Sequence, residues 1–102
     1  MKNNCTFRET AESWAGEKRK FVKKSTFAAY SLILSNHLLP AFGDMDDIRE
    51  EDVQQFVFDK LNSGRSHKTV KDMLIVLKMV LKYAAKHEYM PYRQIDVRFP
   101  TE

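Results

Sequence analysis

Apolar residues recur along this chain at intervals of three and four, the spacing typical of amphipathic helices. The first predicted helix runs from Phe7 to about Val22, because Thr6 and Glu9 have the spacing of a capping box. Its predicted buried face consists of Phe7, Ala11, Trp14, Phe21 and Val22.

A second helix is predicted from Thr26 to about Leu38, with Ser25 as its N-cap and Pro40 as its stop. Gly43 marks the following turn. The predicted inward stripe contains Phe27, Tyr30 or Ser31, Leu34 and Leu38.

The third predicted helix begins after Arg49 and runs to about Leu61, with Gly64 expected in a left-handed conformation. The fourth extends from a Ser66 cap to about Lys86, and residues 95–100 alternate like a short extended segment. These patterns predict an all-α fold, a compact four-helix domain without a sheet.

The fourth helix combines a long apolar surface with one cationic stripe, formed by Lys68, Lys71, Lys78, Lys82 and Lys86. Such a stripe either faces phosphates or solubilises the one exposed face of a core helix. The helix by itself leaves both readings open.

Charge is unevenly distributed along the 102 residues. Residues 1–30 hold seven Lys or Arg against three Glu, and residues 64–102 hold eight against four acidic residues. The intervening residues 31–63 hold two against seven. Two basic blocks around an acidic one indicate a polyanionic partner more strongly than the net charge of +3 does.

Several chemistries lack a basis in the sequence. The three histidines are far apart, Cys5 is the single cysteine, and there is no glycine-rich phosphate loop. We therefore expect no metal, no cofactor and no catalysis by these residues. The sequence also predicts no membrane segment, and its single cysteine fits a reducing cytoplasm.

Four short motifs occur in order. Lys24-Ser25-Thr26 with Tyr30 opens the second helix, and Leu39 to Asp44 closes it. Ile48 to Phe56 opens the third, and Ser66-x-Lys68-Thr69-Val70 opens the fourth. Together the motifs resemble the N-terminal SAM-like core-binding domain of tyrosine recombinases, the phage integrase family. The resemblance covers about residues 6–90.

The resemblance implies double-stranded DNA binding at a recombination core site, as one half of a clamp whose other half is a C-terminal catalytic domain. It also implies other recombinase protomers as partners in a DNA synapse. Residues 1–5 are then a disordered N-terminus, 6–90 the DNA-binding domain, and 91–102 a linker toward a catalytic domain that this chain lacks. We expect the chain to be a bacterial or phage protein that acts on DNA in the cytoplasm without cutting it.

Residue chemistry supplies the candidate contacts, since helix N-termini with hydroxyls and cations suit phosphate oxygens. At the second helix they are Lys23, Lys24, Ser25, Thr26 and Tyr30. At the fourth they are Arg65, Ser66, His67, Lys68, Thr69, Lys71 and Lys78, of which His67 and Lys71 are best placed for base edges.

Two alternative functions stay open at the level of sequence. A helical protein-interaction module would use the acidic block as its surface. A helix-turn-helix transcriptional regulator would use the short connection at residues 62–65 as its turn.

Overall fold

The computed structural model describes residues 5–100, and within them every regular element is a helix. Helix α1 is Phe7–Lys18, α3 is Glu50–Asn62 and α4 is His67–Lys86. Helix α2 is continuous and has three parts, α-helical Lys24–Ile33, π-helical Leu34–Leu38 and α-helical Leu39–Phe42. The predicted all-α, four-helix fold is therefore confirmed. Residues 1–4 of the predicted disordered N-terminus and residues 101–102 lie outside the described residues.

Helix α1 begins as its sequence predicts. The Thr6 hydroxyl accepts the Glu9 N–H at 3.2 Å, and the Glu9 carboxylate accepts the Thr6 N–H at 2.9 Å. Its predicted end at Val22 is wrong, because the helix stops at Lys18 and a tight turn follows, in which the Phe21 N–H bonds the Lys18 carbonyl. Phe21 consequently leaves the buried face and is 77% exposed.

The predicted Ser25 cap of α2 is also wrong. The helix begins one residue earlier, at Lys24, and its N-cap is Lys23 in an extended conformation. Ser25 lies inside the first turn. A lysine side chain has no acceptor, so it provides no capping bond for the N–H groups of that turn.

Pro40 does not end α2, contrary to the sequence-based prediction. A π-helical turn precedes it, in which the Leu39 N–H bonds the Leu34 carbonyl five residues back. Pro40 then lies at the start of the last α-helical turn, where a missing N–H is tolerated. The helix therefore continues to Phe42, and the side chain of Phe42 reaches the core.

The turn between α3 and α4 has the predicted geometry. Gly64 has a φ of 100°, its N–H bonds the Leu61 carbonyl, and the Arg65 N–H bonds the Lys60 carbonyl. These two bonds form a Schellman motif. The Ser66 hydroxyl then accepts the Thr69 N–H at 3.2 Å, so α4 begins directly after the turn.

Helix α4 is the centre of the core and contributes the largest group of buried side chains, namely Val70, Met73, Leu74, Val76, Leu77, Val80 and Ala84. Helix α1 packs on its second half, where the hydroxyls of Ser13 and Tyr83 lie 2.8 Å apart. The Phe42 ring joins the other helices, since it contacts Phe7 with centroids 6.1 Å apart and Phe56 at 5.1 Å.

Residues 91–100, which we call the strap, return across the helices in an extended conformation. The predicted alternation is present, because Ile95, Val97 and Phe99 are half-buried against the core while Asp96 and Arg98 are exposed. The strap forms no strand. It is fastened by side chains from the loop before α3 and from α3 itself.

Candidate nucleic-acid interface

The first candidate surface is the start of α2, which we call the α2 site: Lys23, Lys24, Ser25, Thr26 and Tyr30. The first three side chains are exposed, and the last two are half-buried. The Tyr30 ring packs on Trp14, with centroids 5.9 Å apart. Tyr30 is thus anchored on the core at the edge of an exposed, cationic helix start.

The second candidate surface is the start of α4, which we call the α4 site: Arg65, Ser66, His67, Lys68, Thr69 and Lys71. All are exposed except His67, which is half-buried. The Lys68 side chain is 86% exposed, with its ammonium 3.4 Å from the Asp72 carboxylate. An exposed pair of this kind contributes little to stability and leaves the cation accessible to a phosphate.

Lys78 lies apart from the α4 site, two turns further along the same helix. Together with Lys82 and Leu81 it lines a groove of about 380 Å³ whose other wall is formed by residues 91–95. The five lysines of the predicted stripe are all exposed. The stripe therefore forms one accessible cationic face of α4, and part of that face borders the strap.

The strap contacts two residues of the α4 site. The His67 ring nitrogen Nε2 lies 2.9 Å from the Pro100 carbonyl oxygen, and the His67 ring packs on Phe99 with centroids 5.6 Å apart. The Lys71 ammonium lies 5.4 Å from the centre of the Phe99 ring. Both side chains selected as candidates for reading base edges are thus engaged by residues 99–100.

The two sites have different neighbours. The α2 site adjoins the end of α1, where the Arg19 guanidinium lies 5.8 Å from the centre of the Phe27 ring. The α4 site adjoins the strap, since His67 and Lys71 contact residues 99–100.

A cationic cluster next to the α4 site, formed by Lys60 and Arg65 around His37, was not predicted from the sequence. The Lys60 ammonium lies 3.0 Å from His37 Nδ1, so Lys60 donates to a neutral imidazole. Burial, then the charges of Lys60 and Arg65, lower the pKa of His37 below its ordinary value of 6.5. Lys60 was overlooked because its neighbours in the sequence belong to the acidic block.

Over residues 5–100, no group of three or more His, Cys, Asp or Glu side chains is arranged to hold a metal ion. Within the same residues, no helix combines the length and the apolar character needed to cross a bilayer. Cys5 donates its backbone N–H to the Tyr89 carbonyl oxygen at 2.7 Å.

Fold and surface together define an all-α domain with two exposed, cation-rich helix starts. Comparison with known families gives a match over residues 6–61 to the phage integrase N-terminal SAM-like domain. The chain belongs to this family. The match covers α1, α2 and nearly all of α3, and α4 lies beyond it. No curated protein and no solved structure shows significant similarity to the chain.

Proposed function

We propose that this chain binds double-stranded DNA at a recombination core site, as the N-terminal half of a clamp in a tyrosine recombinase. The proposed partners are the duplex, a C-terminal catalytic domain of the parent recombinase, and other recombinase protomers in a synapse. The chain itself holds DNA and does not cut it. We propose that it acts on DNA in the cytoplasm, as a bacterial or phage protein.

The observation that carries the proposal is the α4 site, found in a chain of the integrase family. The start of α4 combines a helix N-terminus with the hydroxyls of Ser66 and Thr69 and with three cationic side chains, those of Arg65, Lys68 and Lys71. Helix N-termini of this composition bind phosphate oxygens, and long cationic side chains beside them reach base edges. The α2 site supplies a second set of phosphate contacts.

The internal contacts of the acidic block weaken the case for an acidic surface that binds a partner protein. Much of it is engaged within the chain: Asp47 binds Arg93 and Arg49, the Asp52 carboxylate accepts the Arg49 N–H at 3.0 Å, and the Glu50 carboxylate accepts the Asp96 N–H at 2.8 Å. These carboxylates cap α3 and fasten the strap. They therefore have structural roles that need no partner protein.

A salt titration of binding to a DNA duplex tests the proposal. Roughly five to eight phosphate contacts give a slope of about −0.9 per contact when log K is plotted against log salt. We expect a slope in this range and only weak sequence preference. A slope of zero, or no binding at low salt, contradicts DNA binding.

Alanine variants locate the contact surface. We expect Lys68→Ala and Lys71→Ala to weaken DNA binding and to reduce the salt slope by about one each, while changing the unfolding free energy by less than about 0.5 kcal/mol. Lys68 is the cleaner test because Lys71 also contacts the strap. Lys86→Ala, at the other end of α4, is the matched control, and an equal loss of binding there contradicts the α4 site.

A further inference from the structure

The strap follows the cationic face of α4 in the opposite direction to the helix. It leaves from Met90, which is buried, and residues 91–95 form one wall of the groove lined by Lys78 and Lys82. Its last described residues contact His67 and Lys71 in the first turns of the same helix. The strap therefore reaches from the C-terminal part of α4 to the α4 site.

On the side of α3, the strap is fastened by the side chains of Asp47, Glu50 and Gln54. Asp47 receives two hydrogen bonds from Arg93, at 2.9 and 2.7 Å. The Glu50 carboxylate accepts the Asp96 N–H at 2.8 Å. The Gln54 side-chain amide accepts the Arg98 N–H and donates to the Arg98 carbonyl oxygen, both at 2.8 Å. Gln54 thereby satisfies both backbone groups of Arg98, as a neighbouring strand does in a sheet.

These fastenings are suited to reversible docking. Every one of the hydrogen bonds lies at an exposed position, where water replaces it on release. The apolar part consists of half-buried side chains, Ile95, Val97 and Phe99, and none of them is fully buried. The strap is therefore attached by contacts that a competing ligand is able to displace.

We propose that the strap is autoinhibitory: it holds His67 and Lys71 of the α4 site, so that DNA and the strap compete for these two side chains. The proposal rests on the DNA-binding function proposed above. While the strap is docked, the Phe99 ring lies against the Lys71 ammonium and the Pro100 carbonyl lies within hydrogen-bond distance of His67. DNA gains these two side chains when residues 99–100 move away.

Two variants of the full chain test the competition. Gln54→Ala removes both bonds to Arg98, and Phe99→Ala removes the ring that contacts Lys71. Both leave the net charge unchanged, so neither alters the general attraction to DNA. Because apparent affinity scales with the fraction of molecules in the open state, we expect each to bind duplex DNA about three- to tenfold more tightly. Gln55→Ala is the matched control, since Gln55 bonds Asp59 on α3 and does not fasten the strap.

A direct readout of the strap accompanies the affinities. Amide exchange followed by NMR reports on the N–H groups of Asp96 and Arg98, which are protected by Glu50 and Gln54. We expect saturating DNA to remove this protection in the wild-type chain. Melting curves confirm that the variants are folded before their affinities are compared.

The outcomes separate the two proposals. If the wild-type chain binds DNA and both variants bind equally well or less well, the proposed competition between strap and DNA is wrong and the DNA-binding function stands. Protection that persists at saturating DNA also overturns the proposed competition. If neither the wild-type chain nor the variants bind DNA at low salt, the DNA-binding function is wrong and the proposed competition falls with it.

Discussion

At the scale of single residues, Trp14 and Phe21 show how one turn of helix decides burial. Both were predicted on the inward face of α1, yet Trp14 is 4% exposed and Phe21 is 77% exposed. We expect Trp14→Ala to lower the unfolding free energy by about 3–5 kcal/mol, because it leaves a cavity beside Tyr30. Phe21→Ala is the control and should stay within about 0.5 kcal/mol in thermal or urea unfolding. Equal losses of unfolding free energy for Trp14→Ala and Phe21→Ala contradict this packing.

His37 predicts a pH dependence of stability. Its pKa in the folded state is below 6.5, so the unfolded chain binds more protons between the two values. The contribution of neutral His37 to the unfolding free energy is therefore fully present above about pH 6.5 and is lost as the pH falls through the folded-state pKa. His37→Gln keeps an acceptor for Lys60 without titrating. Between about pH 7.5 and 5, we expect the unfolding free energy measured in urea to fall less for this variant than for the wild-type chain. An equal fall in both proteins contradicts the prediction.

At the scale of elements, the π-helical turn explains the spacing of the inward residues of α2. Tyr30, Leu34, Leu38 and Phe42 follow each other at steps of four, and in a regular α-helix each such step drifts by about 40° around the axis. Such a stripe soon leaves one face. The wider π-helical turn at Leu34–Leu38 offsets this drift, so that Phe42 still reaches the core.

This geometry predicts that Pro40 is nearly neutral. Proline inside a regular helix costs about 3 kcal/mol, but the bond that Pro40 lacks falls at the junction of the π-helical and α-helical parts. We expect Pro40→Ala to change the unfolding free energy by less than about 1 kcal/mol. Ala28→Pro, at an exposed site in the regular part of α2, should cost about 3 kcal/mol. A large increase in the unfolding free energy on Pro40→Ala contradicts the role of the π-helical turn.

The elements also show what the sequence is able to predict. The starts of α1 and α4 were predicted correctly because each depends on a cap three residues from its partner, Thr6 with Glu9 and Ser66 with Thr69. The course of α2 was not, because the general rule for proline does not account for a preceding π-helical turn. The candidate DNA-binding residues were also chosen from local sequence, at the starts of α2 and α4. The position of the strap was not predictable in this way, because it depends on contacts such as that between Gln54 and Arg98, which lie 44 positions apart in the sequence.

At the scale of the whole molecule, the proposed function predicts that the chain forms no covalent adduct with DNA. Strand cleavage needs an activated nucleophile beside preorganised cations. The Tyr83 hydroxyl is 2.8 Å from Ser13, Tyr30 packs on Trp14, and the Tyr89 ring is stacked on His87. Tyr92 is exposed in the strap, and the sequence has no His-x-x-Arg box to activate it. Incubation with a suicide substrate followed by a denaturing gel should show no shifted band. A band that disappears on mutation of one tyrosine contradicts this prediction.

The course of the strap determines where anything joined to the C-terminal end leaves the domain. With the strap docked, the chain departs beside His67 at the start of α4, and with it released, the last anchored residue is Met90, beyond the other end of that helix. A helix of 20 residues is about 30 Å long. Release therefore moves the attachment point by about the length of α4 and replaces a fixed exit with a tether of ten residues that reaches about 35 Å. A domain attached there changes from a held orientation to a search of its surroundings at high effective concentration.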